Sequence, residues 1–150
     1  MKSLFLYYSN TGNGELISEE IEKKGVEIRR VHRKKKMPKS FFWMIMKGGF
    51  QAGINHKDKL LNYDKDVSSY DHIIIGSPIW NGRFSCPINR VLSEIDLSNK
   101  KVTFLLYSGS GEGKKAIKRI NKEYKDADIV ILKEPKKYLE ELNKLDRISL

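Results

Sequence analysis

Six consecutive residues, Ser9-Asn10-Thr11-Gly12-Asn13-Gly14, combine hydroxyls, amides and two glycines in one short stretch. The glycines permit a tight turn in which main-chain N–H groups converge on one point. Ser9 and Thr11 add hydroxyl donors, and Asn10 and Asn13 add amide donors. If a helix follows, its unpaired N–H groups and positive dipole end face the same point. Such a loop can hold a phosphate dianion without any lysine of its own. Two better-known phosphate motifs fit worse. In a Walker loop a lysine is followed by Ser or Thr, but Gly113-Lys114 is followed by Lys115, with no glycine at the required spacing before it. A dinucleotide fingerprint starting at Gly12 would need glycine where Ile17 stands, and an acidic end to the second strand, where Arg29 and Arg30 stand.

Two later stretches have matching chemistry. Pro78-Ile79-Trp80-Asn81-Gly82-Arg83-Phe84 puts a large flat ring beside an Asn-Gly pair. The ring suits stacking on an aromatic ligand, and the pair accepts positive φ and alternative peptide orientations. Ser108-Gly109-Ser110-Gly111-Glu112-Gly113 is small and rich in main-chain donors and acceptors that can face the edge of a heterocycle.

Elements of alternating type must position these loops. Apolar runs at Ser3–Tyr8, Tyr70–Pro78, Val102–Tyr107 and Asp128–Leu132 read as strands, and Val26, Ile28 and Val31, interleaved with charges, give a less buried second strand. Leu16, Ile17, Glu20 and Ile21 set a helical period that Gly25 ends. Further helices are expected at Pro87–Ile95, Gly113–Tyr124 and Pro135–Leu145. The alternation predicts one α/β domain over residues 1–150, a doubly wound parallel sheet with helices on both faces. Ligands in such sheets bind beyond the carboxyl ends of the strands, where all three loops fall.

Tyr8–Asn13, Gly76–Trp80 and Tyr107–Gly111 together resemble the three flavin mononucleotide (FMN) loops of the flavodoxin family, in order and across nearly the whole chain. The resemblance implies five parallel strands in the order 2-1-3-4-5 and a non-covalent FMN. It assigns the phosphate to Ser9, Asn10, Thr11, Gly12, Asn13 and Gly14. Trp80 would stack on the isoalloxazine, with Pro78, Ile79, Asn81 and Gly82 beside it, and Ser108, Gly109 and Gly113 would border its other edge. A carbonyl near Asn81-Gly82 would turn to accept a hydrogen bond from the reduced ring. The chain departs from the pattern in three ways. Gly14 stands where flavodoxin loops often carry Thr, the third loop lacks the aromatic residue that commonly covers the second flavin face, and the protein is basic where flavodoxins are usually acidic.

That basicity is large: 29 Lys and Arg against 19 Asp and Glu leave a net charge of +10. Much of it lies in an insertion from Arg29 to Phe50, where His32-Arg33-Lys34-Lys35-Lys36 precedes Phe41-Phe42-Trp43-Met44-Ile45-Met46. Positions 41, 42, 45 and 46 form a helical stripe expected to pack on the sheet, leaving Trp43, Met44 and Phe50 off it. An acidic redox partner protein or an anionic membrane surface would suit this segment better than nucleic acid, for which no binding motif is present. Composition points to a soluble protein: 32% of residues are charged, and no apolar run approaches the roughly 18–20 residues of a membrane span. A lone Cys86 excludes an internal disulfide and fits a reducing cytoplasm. It forms no metal-ligand set with the scattered His32, His56 and His72.

No catalytic acid, base or nucleophile stands out, so the leading expectation is an electron carrier shuttling between redox partners. The uncovered flavin face and Arg83 keep an FMN-dependent NAD(P)H or quinone oxidoreductase as the alternative. A third reading is a non-enzymatic docking domain that uses the basic insertion.

Overall fold

A computed structural model describes residues 1–46 and 56–150. The first strand, β1 (Ser3–Tyr7), is followed by α1 (Asn13–Glu22) and the edge strand β2 (Glu27–Arg30). Helix α2 (Lys39–Met46) lies in the basic insertion, and the long strand β3 (His72–Trp80) comes next. A two-residue strand β4 (Arg83–Phe84), helix α3 (Cys86–Leu92), β5 (Lys101–Ser108), α4 (Lys114–Glu123) and β6 (Asp128–Lys133) complete the alternation. A 3-10 helix, Leu139–Arg147, ends the chain.

The parallel sheet runs β2-β1-β3-β5-β6, the expected 2-1-3-4-5 order once the short antiparallel β4 is set aside. Alternation along each strand divides the core between two faces. Leu4, Leu6, Ile73, Ile75, Phe104 and Leu106 pack with α2, α3 and α4. Phe5, Tyr7, Ile74, Leu105 and Tyr107 pack with α1 and the 3-10 helix. All of these side chains are nearly inaccessible, each contributing roughly 1.5–3 kcal/mol by burial.

Two elements differ from expectation. The stretch from Pro78 to Phe84 is a hairpin: β3 continues through Ile79 and Trp80, and Asn81-Gly82 turns it into β4. Both turn residues have positive φ, 49° and 76°, as a two-residue hairpin turn matched to strand twist requires. The last helix begins later than Pro135 and is 3-10. Leu142, Leu145 and Ile148 recur every third residue, and three residues per turn places all of them against the sheet.

In α2 the stripe residues 41, 42 and 45 pack inward as expected, and the side chain of residue 46 lies outside the described part of the structure. Ile45 is buried and Phe41 and Phe42 are half-buried against the core, while Trp43 and Met44 are exposed. Phe50 lies outside the described residues. The Arg33 guanidinium pairs with Asp58 at 2.7 Å, both well shielded, tying the basic segment back to the body of the fold.

Candidate functional site

The carboxyl ends of β1, β3, β5 and β6 surround a cavity of about 290 Å³. Its first wall is the loop that α1 begins on. Gly12 caps the helix in a left-handed conformation, φ 92°, that side chains rarely adopt. The Ser9 hydroxyl accepts the Gly14 N–H at 3.1 Å, and the Asn13 amide donates to the Thr11 hydroxyl at 3.3 Å. Among the described residues no acceptor meets the main-chain N–H of Thr11, Gly12 or Asn13. Three uncommitted donors beside the start of a helix form a cradle for an anion.

Ser9 and Gly14 are buried behind this cradle rather than on it. A Cβ on Gly14 would stand 2.6 Å from Ser9 Cβ and 2.9 Å from the Tyr107 hydroxyl. Tyr107 donates that hydroxyl to the Tyr8 carbonyl. Burial first, then the neighbouring Tyr7, raises its pKa well above the ordinary value and keeps it a neutral donor. Arg30 is held at 2.5 Å by Glu15, the acidic residue of the first helical turn.

The second wall is apolar. Pro78, Ile79 and Trp80 contribute from β3, but only 1% of Trp80 is exposed. Its ring meets Tyr8 edge-on at 5.9 Å and Phe42 at 6.3 Å. Trp80 therefore belongs to the core as well as to the cavity. Phe42 and the 59% exposed Trp43 line the same space, so α2 brings aromatic rings to a site whose third loop has none.

Ser108 and Gly109 form the third wall, and the Ser108 hydroxyl is buried without a partner among the described residues. Asn81, Gly82 and Gly113 lie in an adjoining cavity of about 550 Å³, which shares Ile79, Ser108 and Gly109 with the first. The structure thus gathers eleven of the fourteen expected residues around two contiguous cavities and leaves Ser9, Gly12 and Gly14 shaping the loop behind them.

Sequence reasoning missed Tyr107, Glu134, Lys136 and Lys137, which also line the first cavity, and did not assign Phe42 and Trp43 to it. Three of these follow β6, whose carboxyl end obeys the same rule that located the other loops. Lys136 corrects the picture of a phosphate loop with no cation: its ammonium reaches the Thr11 carbonyl at 3.1 Å.

A family model described as NADPH-dependent FMN reductase matches residues 9–120, from the first loop to the middle of α4. The chain belongs to this family. Among solved structures, the fold is shared with an inferred flavoprotein from Bacteroides eggerthii, at 19% identity and a TM-score of 0.70, covering 99% of this chain and 98% of that one. A flavoprotein of Lactobacillus acidophilus solved in complex with FMN has 21% identity and a TM-score of 0.61, covering 93% and 97%. These likenesses establish a shared flavodoxin-like fold. No curated protein matches the chain. For an FMN reductase family member, the matched span includes all three strand-end loops but stops before Lys136.

No helix of the described residues is long and apolar enough to cross a membrane. Cys86 opens α3 as a buried thiol, pushed up to about 11 by burial and, next, by Asp58.

Proposed function

We propose that this chain binds FMN in the cavity at the carboxyl ends of its strands and serves as an electron-transfer protein. The observation that carries the reading is the set of uncommitted N–H groups at Thr11, Gly12 and Asn13, in a loop that borders a cavity walled by Trp80, Phe42 and Trp43. A phosphate fits the cradle, and a flat heterocycle fits between apolar walls. Bound FMN supplies the uptake and release of electrons. The protein's residues do the rest. The first loop fixes the phosphate, the aromatic side chains exclude water from the ring, and the Asn81-Gly82 turn presents main-chain groups at the ring's edge. The basic surface around Lys34, Lys35, Lys36 and Lys39 suits an acidic partner protein, with association weakening as salt rises.

Purified protein should carry, or be reconstitutable with, yellow FMN; failure on both counts overturns the proposal. A carrier should also oxidise NADPH only slowly without a partner protein.

A direct reductase is the second reading, favoured by the adjoining cavity. Lys114 and Lys115 line it beside Asn81-Gly82, and two ammonium groups suit the phosphates of a nicotinamide nucleotide. Rapid NADPH oxidation by the flavin-loaded protein alone would decide for this reading.

A further inference from the structure

The strap after β6 reaches the phosphate loop from the far end of the sequence and brings a cation to it. Lys136 donates its main-chain N–H to Asn13 Oδ1 at 3.0 Å and its ammonium to the Thr11 carbonyl at 3.1 Å. Its stem crosses Gly12, where a Cβ would stand 3.2 Å from Lys136 Cδ and 3.0 Å from Nζ. The same strap is tied to the third loop, because the Glu134 N–H donates to the Ser108 carbonyl at 3.1 Å.

An ammonium in this position is repelled by the positive end of the α1 dipole. The Glu134 carboxylate lines the same cavity but does not pair with this ammonium. Glu15 is engaged by Arg30, and among the described residues no carboxylate forms an ion pair with Lys136. The main-chain N–H groups of Thr11 and Asn13, which line the same cavity, and of Gly12 between them meet no acceptor among the described residues. A cation and three N–H donors held together against a helix dipole lack one component, an anion.

We propose that Lys136 is the counter-cation of the FMN phosphate and sets the preference of this protein for FMN over riboflavin. The inference rests on the FMN reading above. It supplies in space the lysine that the loop lacks in sequence, and it adds charge-assisted hydrogen bonds to the neutral donors of the cradle.

The test is titration of the apoprotein with FMN and with riboflavin, followed by quenching of flavin fluorescence at low and high salt. Lys136→Gln should raise the FMN Kd roughly tenfold or more, as loss of one charge-assisted contact does. Riboflavin affinity should stay unchanged, since riboflavin carries no phosphate. The salt dependence of FMN binding should flatten in the same variant. Lys136→Arg should restore most of the FMN affinity. Lys118→Gln, which removes the same charge from an exposed position on α4, should change neither ligand. Equal weakening of both flavins would show that Lys136 only packs against the loop and would overturn the proposal. Unchanged FMN binding would overturn it as well. Wild-type protein that binds neither flavin would instead remove the FMN reading itself.

Discussion

The Tyr107 hydroxyl stands 2.9 Å from the place a Cβ would occupy on Gly14, so a tyrosine on β5 excludes any side chain from the end of the first loop. Ser9 Cβ and the Tyr7 ring close the same space at 2.6 Å and 2.9 Å. The threonine common at this position in flavodoxins cannot be accommodated here. The hydroxyl nearest to Gly14 from outside the loop is the one Tyr107 brings, and that group is already given to the Tyr8 carbonyl.

Gly14→Ala should therefore destabilise the protein although alanine favours a helix. Helix propensity alone would add about 1 kcal/mol of stability, whereas overpacking against Ser9, Tyr7 and Tyr107 costs about 1–3 kcal/mol. Denaturant unfolding should show a net loss, and larger for Gly14→Thr. A more stable alanine variant would refute the packing account.

Gly82→Ala tests the hairpin beside the second cavity. Gly82 has φ 76°, and an added Cβ meets no atom closer than 3.7 Å, so the penalty is conformational rather than steric contact with neighbours. A loss of about 1–2 kcal/mol is expected from forcing a side chain into the left-handed region. Deletion of the turn's strain by Gly82→Asn, which tolerates positive φ, should recover part of it.

His72 makes folding sensitive to mild acid. Its ring is inaccessible and Nε2 lies 2.8 Å from the Thr103 hydroxyl. Burial, reinforced by Lys101, lowers its pKa from the ordinary 6.5 to about 4. Between these values the unfolded chain holds a proton that the folded protein does not, so stability is complete above pH 6.5 and falls as the pH drops toward 4. The full loss is about 3 kcal/mol. An NMR titration of the His72 ring in the folded protein should show no protonation at pH 6, and a midpoint above that would refute it.

Cys86 should be inert in the native protein. The thiol is buried and its pKa is raised to about 11, so almost no thiolate exists near neutral pH. A thiol reagent at pH 7.5 should label it only after denaturant is added. Prompt labelling of folded protein would contradict the structure.

The alternation of strands and helices and the first loop were legible because each depends on neighbours in the chain, whereas the strand order came only through the family resemblance. Ser9 to Gly14 needs only its own residue types and the strand before it to read as a phosphate loop. The Pro78–Phe84 segment was legible as a strand end beside a cavity but not as a hairpin. Trp80 reads equally well as a stacking platform or a core residue until Tyr8 and Phe42 are placed against it. The repeat Leu142, Leu145, Ile148 likewise leaves α and 3-10 geometry open until a sheet face selects one.

What the sequence by itself determined was the set of loops that converge at the strand ends, since period and turn chemistry are local properties. Only the tertiary structure decided what completes them. Lys136 meets Thr11 across 125 residues, Tyr107 takes the space at Gly14, and α2 brings Phe42 and Trp43 to the cavity. Parallel strands bring residues distant in the chain to one edge of the sheet, and no local spacing encodes which of their side chains will meet there.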